Sequence, residues 1–263
     1  MRTIYQIDKN PLNWLDTMLN AVEHMNFSKV EQQNILKLQL KEHGLKHSVI
    51  NKIKYKKYWR KTSLKQKGLG EFFLNVILKK KPRNFLEIGV FHGVTSKNVC
   101  DLLQQIHGKD FSFTGIDLFS TDKGETKDEI IPQTKFSNIL KTIYYKYILK
   151  LDPYSKESVE KLLSKHKDNV NIIKGNSNKV LKEISLDKFD FVFLDGGHKY
   201  ETVLNDLKSL TKVVVNKGVV LCDDYNLTYA PGVKKAIDEY VLLNNFNLRI
   251  LSFRFAEITQ KFN

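Results

Sequence analysis

From residue 84 onward, short runs rich in apolar and β-branched residues alternate with longer segments whose apolar positions recur every three or four residues. The runs are NFLEIG, FSFTGID, VNIIKG, FDFVFLD, KGVVLCDD, LRILSFR and AEITQKF. Between them lie helical segments such as TSKNVCDLLQQIHG and KYETVLNDLKSL, the second placing Tyr200, Val203, Leu207 and Leu210 on one core-facing stripe. Strands spaced by helices predict an α/β fold, a mostly parallel sheet with helices on both faces. Only the last two runs are too close for a crossover helix, so they are expected to form an antiparallel hairpin at one edge, completing seven strands.

Residues 1–80 lack a strand pattern. NWLDTMLNAVEHM and KVEQQNILKLQLKEHG, with Gly44 as a stop, predict a helical appendage ahead of a domain spanning 81–263. A second irregularity follows Asp117, where about fifty residues precede the next strand, far more than a crossover helix needs. SKESVEKLLSKH supplies that helix, which leaves an insertion over about 118–155. At the carboxyl end of a parallel strand, an insertion overhangs the ligand crevice, as a lid or substrate-selecting element or as plain surface.

Composition narrows the class without fixing it. The chain has 263 residues, 41% hydrophobic and 27% charged, which describes an ordinary globular protein. No basic start followed by an apolar core opens the chain, and no stretch is apolar enough to span a bilayer, so a soluble, unexported, cytoplasmic protein is expected. Cys100 and Cys222 are too few for a disulfide framework or a cysteine metal cage. The net charge of +14 suits an acidic partner, but lysine is spread along the whole sequence. Residues 52–67, KIKYKKYWRKTSLKQK, concentrate eight basic residues with Tyr55, Tyr58 and Trp59 and no acidic one. Such a run can stack on bases; with no RNA-binding motif beside it, a solvated helix face with inward aromatics is the favoured reading.

The chemistry gathers at the ends of the predicted strands. LEIGVFHGVTS ends a strand at Glu87 and Ile88, turns at Gly89, and uses Gly93 to let the backbone approach a ligand before the next helix. A carboxylate two residues before the first glycine is unfavourable beside a pyrophosphate and favourable beside an ammonium or sulfonium, so the loop suits S-adenosylmethionine better than a dinucleotide. Asp117 ends the next strand, placed either to accept ribose hydroxyls or to cap a turn. Asn176 and Ser177 follow a strand and a glycine, placed either to read an adenine edge or to start a helix. Asp195 ends one strand and Asp223 and Asp224 end its neighbour, so three carboxylates are expected in one crevice and need a compensating cation. All-oxygen ligation fits a hard divalent ion, Mg²⁺ by default. His198, on the loop after Asp195, is the candidate base.

Taken together, LEIGVFHG, GIDLF, KGNSNKVL, FLDGGHKYETVLNDL, KGVVLCDDYN and PGVKKAIDEY resemble a class I S-adenosylmethionine-dependent methyltransferase. D-G-x-H-x-Y-E followed by a D-D strand end is similar to its metal-dependent sugar and macrolide O-methyltransferase branch. The resemblance implies a Rossmann-like sheet ordered 3-2-1-4-5-7-6. It implies Glu87 and Gly89 at the methionine part of the cofactor, Asp117 at the ribose, and Asn176 with Ser177 at the adenine. Asp195, Asp223 and Asp224 would hold the metal, Asp195 also bordering the cofactor, and His198 stands where the related catechol enzymes carry a lysine base. The implied reaction is methylation of a hydroxyl on a small molecule or saccharide. An RNA methyltransferase and a hydroxylase-like enzyme on the same scaffold are the alternatives, and self-association stays open.

Overall fold

A computed structural model describes residues 53–119, 138–252 and 254–261. Seven strands form one sheet: β1 (Asn84–Ile88), β2 (Ser112–Asp117), β3 (Val170–Lys174), β4 (Phe191–Leu194), β5 (Val219–Cys222), β6 (Asn247–Ile250) and β7 (Ala256–Thr259). Their order is β3-β2-β1-β4-β5-β7-β6, as the resemblance implies. The first five are parallel, and β7 runs antiparallel to both β5 and β6. Parallel strands buried on both faces read as near-continuous apolar runs, which is why FVFL and VVLC show no alternation.

Side chains still alternate between faces. Phe85, Phe113 and Phe191 sit in register on adjacent strands, and their rings stack at 5.7 and 5.2 Å. Helix α1 (Leu69–Lys80) closes this face, with Phe73 4.5 Å from Phe193 and Phe72 stacked on Phe255. Helix α2 (Val94–His107) follows β1. Next come α3 (Ile139–Ile143), which runs on into a π-helical turn over Tyr144–Leu149, and α4 (Lys156–Leu162), the crossover helix read from the sequence. The remaining helices are α5 (Ser177–Glu183), α6 (Tyr200–Ser209), α7 (Thr211–Val215) and α8 (Pro231–Asn244). On the opposite face α6 and α8 bury Val203, Leu207, Leu210, Val233 and Ile237 in one core, with Tyr200 packed at its border.

The predicted helices of residues 1–52 and the insertion's 120–137 lie outside the described residues. Residues 53–67 form turns and irregular chain instead of the helix expected there. The cause is burial at irregular spacing: the Tyr55 hydroxyl shares hydrogen bonds of 2.8 Å with Thr62 and Thr95, and Arg60 is buried five residues later. The Arg60 guanidinium donates to the carbonyls of His92, Pro153 and Ser158 and to the Ser158 hydroxyl, tying this segment to the β1 loop and to the insertion.

Candidate functional site

Register decides what meets at the carboxyl rim of the sheet. Ile88 pairs with both Ile116 and Leu194, and Leu194 pairs with Cys222. The following residues, Gly89, Asp117, Asp195 and Asp223, therefore leave the sheet side by side. Gly89 has φ +94, and a Cβ there would lie 2.0 Å from the Asp195 carbonyl oxygen. Its lack of a side chain lets the β1 and β4 loops touch. Beside Gly93 the equivalent space is taken by Val159 of α4, at 3.0 Å, so that glycine serves helix packing in this structure.

Glu87 points to the Phe85 face and is fully buried beneath α2. Ser96 Oγ donates to its Oε2, while Oε1 meets no hydrogen-bond partner among the described residues. Burial pushes the carboxyl up to about 8, against the Ser96 hydrogen bond and helped by the Asp117 charge. Asp117 is held differently. Its Oδ2 accepts from the Phe91 amide at 2.7 Å, and its Oδ1 accepts from the Phe119 amide at 3.0 Å and the Tyr154 hydroxyl at 2.7 Å. His92, in the same β1 loop, is buried and pushed down to about 3 by burial and by Arg60 and Lys61, so it is a neutral imidazole.

Asn176 accepts from the Asn178 amide at 2.9 Å and is the N-cap of α5. Ser177 donates to Asp206 of α6 at 3.0 Å, so Asn176 starts α5 and Ser177 ties it to α6. They stand at the end of β3, on the same rim but one strand beyond Asp117.

The three expected carboxylates do converge, and the charge that compensates them comes from a residue that no sequence motif marks. Arg254 Nη2 donates to Asp223 Oδ2 at 2.7 Å and its Nε donates to Oδ1; Nη2 also lies 2.8 Å from Asp224 Oδ1. Ser63 links the third carboxylate, its hydroxyl donating to Asp195 Oδ2 at 2.8 Å and its carbonyl accepting from Arg254 Nη1 at 3.4 Å. Asp195 is partly buried as a residue, and its carboxyl turns inward to Ser63. Burial, then the charges of Asp223 and Asp224, hold it well above the usual carboxylate range, with Arg254 and Ser63 opposing. Among the described residues, no group of three or more His, Cys, Asp or Glu side chains is arranged to hold a metal ion.

Arg254 was legible in principle. Antiparallel pairing of Cys222 with Ala256 places the residues just after β5 across from those just before β7, and the Tyr225 amide donates to the Arg254 carbonyl at 3.0 Å. Asp224 adopts φ +61, a left-handed backbone that turns its carboxylate toward His198. There Oδ2 meets His198 Nε2 at 2.9 Å, and burial of Asp224 is outweighed by this bond and by Arg254, which hold it below its ordinary range. The His198 ring tilts against Tyr229 at 5.8 Å. A narrow cleft lined by Asp195, Gly197, His198, Asp223, Asp224 and Val233 holds about 10 Å³, room for one water.

Comparison with known proteins adds a family and a fold. Residues 86–225 match a family model described as a methyltransferase domain. The solved structure of the O-methyltransferase NovP is 16% identical and aligns over 90% of this chain and 100% of its own, with a TM-score of 0.54. Cofactor-bound Rv0187 from MTB is 13% identical, aligned over 97% of this chain and 100% of its own, with a TM-score of 0.52. At such identities the likeness is one of fold. A comparison with curated protein sequences finds no match.

Proposed function

Since this chain belongs to the methyltransferase-domain family, we propose that it transfers a methyl group from S-adenosylmethionine to a hydroxyl oxygen of a small-molecule or sugar acceptor. The observation that carries the reading is the pair of buried carboxylates, Glu87 and Asp117, at the ends of neighbouring strands, with Glu87 Oε1 lacking a hydrogen-bond partner among the described residues. A buried acceptor left open is costly unless a donor reaches it, and a cationic ligand both supplies the donor and favours the ionised carboxylate. S-adenosylmethionine, when bound, supplies an ammonium group and an electrophilic methyl on a sulfonium. Glu87 then serves the cationic end and Asp117, already fixed by two backbone amides and Tyr154, presents a rigid acceptor to the ribose.

Transfer to oxygen is supported by the His198–Asp224 pair at the cleft mouth, which suits removal of a hydroxyl proton. Held by Asp224 through Nε2, His198 is positioned to accept that proton. Asp224 orients the ring and stabilises the charge that forms on it. The residues as arranged do not fit the divalent cation anticipated from the sequence, because the facing oxygens of Asp223 and Asp224 are engaged by Arg254. No step is assigned to a metal; Arg254 supplies the positive charge the cluster requires. The RNA reading loses support because Tyr55 and Arg60 of the basic run are buried.

Isothermal calorimetry tests the proposal directly, titrating the protein with S-adenosylmethionine and separately with NAD, each with Mg²⁺ and with chelator. Binding of S-adenosylmethionine alone, unaffected by chelator, is expected. Binding of NAD instead, or no binding of either, would overturn it.

A further inference from the structure

The insertion presents a helix turned inside out. Ile139, Leu140, Ile143, Tyr147 and Ile148 are between 43% and 73% exposed, and in α3 and the π-helical turn after it the one buried side chain is Tyr145. Ile139, Ile143 and Tyr147 recur four apart, with Leu140, Tyr144 and Ile148 beside them, so the apolar positions form one continuous stripe facing water. Trp59, 60% exposed, extends the stripe by packing edge-on against Tyr144 at 6.1 Å. Apolar patches of this extent mark an interaction surface.

The charges around the stripe identify the partner. Lys141, Lys146 and Lys150 flank it, and residues 138–150 contain no aspartate or glutamate. Trp59 comes from the 52–67 run, which holds eight basic residues and no acidic ones, and the whole chain carries +14. A second copy of this surface would bring two lysine rims together, which is repulsive. Nucleic acid has no use for a row of isoleucines. An apolar stripe edged by tryptophan, tyrosine and lysine is what lies in the headgroup boundary of an anionic bilayer, rings at the interface and ammonium groups on the lipid phosphates.

We propose that the α3 helix, its π-helical continuation and Trp59 form a docking face for an anionic membrane surface. The face is preset: the Arg60 guanidinium lies over the Tyr145 ring at 5.7 Å and is bonded to the carbonyls of His92, Pro153 and Ser158. Docking is peripheral, since no described helix is long and apolar enough to cross a membrane. His92 belongs to the β1 loop, so Arg60 ties the docking face to the loop that precedes α2.

The test is co-sedimentation of the full chain with vesicles of phosphatidylcholine alone and of phosphatidylcholine mixed with phosphatidylglycerol. Retention by the mixed vesicles, weakened by salt, is expected. The Ile143→Glu and Ile148→Glu double variant loses at least about tenfold in partitioning, and Lys146→Glu or Lys150→Glu about fivefold or more each. All four side chains are at least partly exposed, so melting temperatures stay unchanged and a folding defect is distinguished from a docking defect. Equal retention of the double variant overturns the proposal. So does a lack of binding to mixed vesicles, whether the chain is then monomeric or forms a dimer that Ile143→Glu dissolves.

Discussion

Arg254 meets Asp223 fork to fork, Nη2 on Oδ2 at 2.7 Å and Nε on Oδ1, in a site where both residues are buried. Removing one partner of such a pair costs about 3–5 kcal/mol, because the other charge is left unsolvated. Arg254→Met should therefore lower the melting temperature by about 10 °C, on the scale of about 2–4 °C per kcal/mol for a domain of this size. The variant also reopens the oxygens of Asp223 and Asp224, so Mg²⁺ should restore part of the loss. In the native protein neither Mg²⁺ nor chelator should move the melting point. A metal-dependent rise in the native protein would show that Arg254 yields its place.

Glu87 should make the fold weaker as pH rises. Its carboxyl is pushed to about 8 in the folded chain, above its ordinary value, so the native state binds the proton more tightly than the unfolded state. The protonated form's stability is fully present below the ordinary carboxylate pKa and is lost as pH climbs through about 8. The slope in that window is about 1.4 kcal/mol per pH unit. Glu87→Gln removes the titration, so its melting curve relative to the native protein should improve steadily from pH 5 to pH 8, on the order of one to several kcal/mol. A constant offset across that range would mean the carboxyl is already ionised.

His198→Ala should lower methyl transfer by about a hundredfold to ten-thousandfold, the usual worth of a positioned base. S-adenosylmethionine binding should be unaffected, because His198 stands on the cleft side near Asp224, away from Glu87 and Asp117. Asp224→Asn leaves the ring present but unoriented, and a smaller loss in kcat is expected. Rates measured across pH 6–9 with a hydroxyl acceptor should lose their acidic limb in His198→Ala. Retention of that limb would assign the base elsewhere.

The sheet was readable because its signals are local. Each strand of the parallel set is a short apolar run bounded by glycine, lysine or aspartate, and its rim residues follow from where the run stops. The terminal hairpin followed from a connection too short for a helix. What failed was long-range partnering. C-D-D-Y announced an excess of negative charge, and a metal was the default answer, because no motif beside those residues marks a cationic partner. Arg254 lies thirty-one positions from Asp223 and reaches it through antiparallel pairing, which a reading of motifs does not follow. The basic run shows the same limit. Tyr55 turns inward as anticipated, Tyr58 donates to Asp101 at 2.9 Å, and Trp59 faces outward, a division set by tertiary contacts and invisible to periodicity.

Three glycines with positive φ separate backbone conformation from crowding. At Gly108, φ is +66 with ψ −117, outside the left-handed helical region, and a methyl added there would find nothing within 4 Å, so Gly108→Ala carries only a conformational cost of about 1–3 kcal/mol. At Gly93, φ is +72 and Val159 Cγ1 would stand at 3.0 Å, a buried β-branched side chain that must give by a few tenths of an ångström. At Gly89, φ is +94 and the methyl would meet the Asp195 carbonyl oxygen at 2.0 Å, its carbon at 2.5 Å and the Gly196 nitrogen at 2.8 Å. Those atoms are backbone, pinned by the hydrogen bond from the Asp195 amide to the Ile88 carbonyl at 2.8 Å, so relief requires the β1 and β4 loops to part. Gly89→Ala adds a backbone clash to its conformational cost and should exceed Gly108→Ala in urea unfolding, on the order of 3 kcal/mol or more. It should also draw Asp195 away from Ser63. Equal costs at Gly89 and Gly108 would mean the two loops are not in contact, and the convergence of Gly89 with Asp195 at one rim would fall with it.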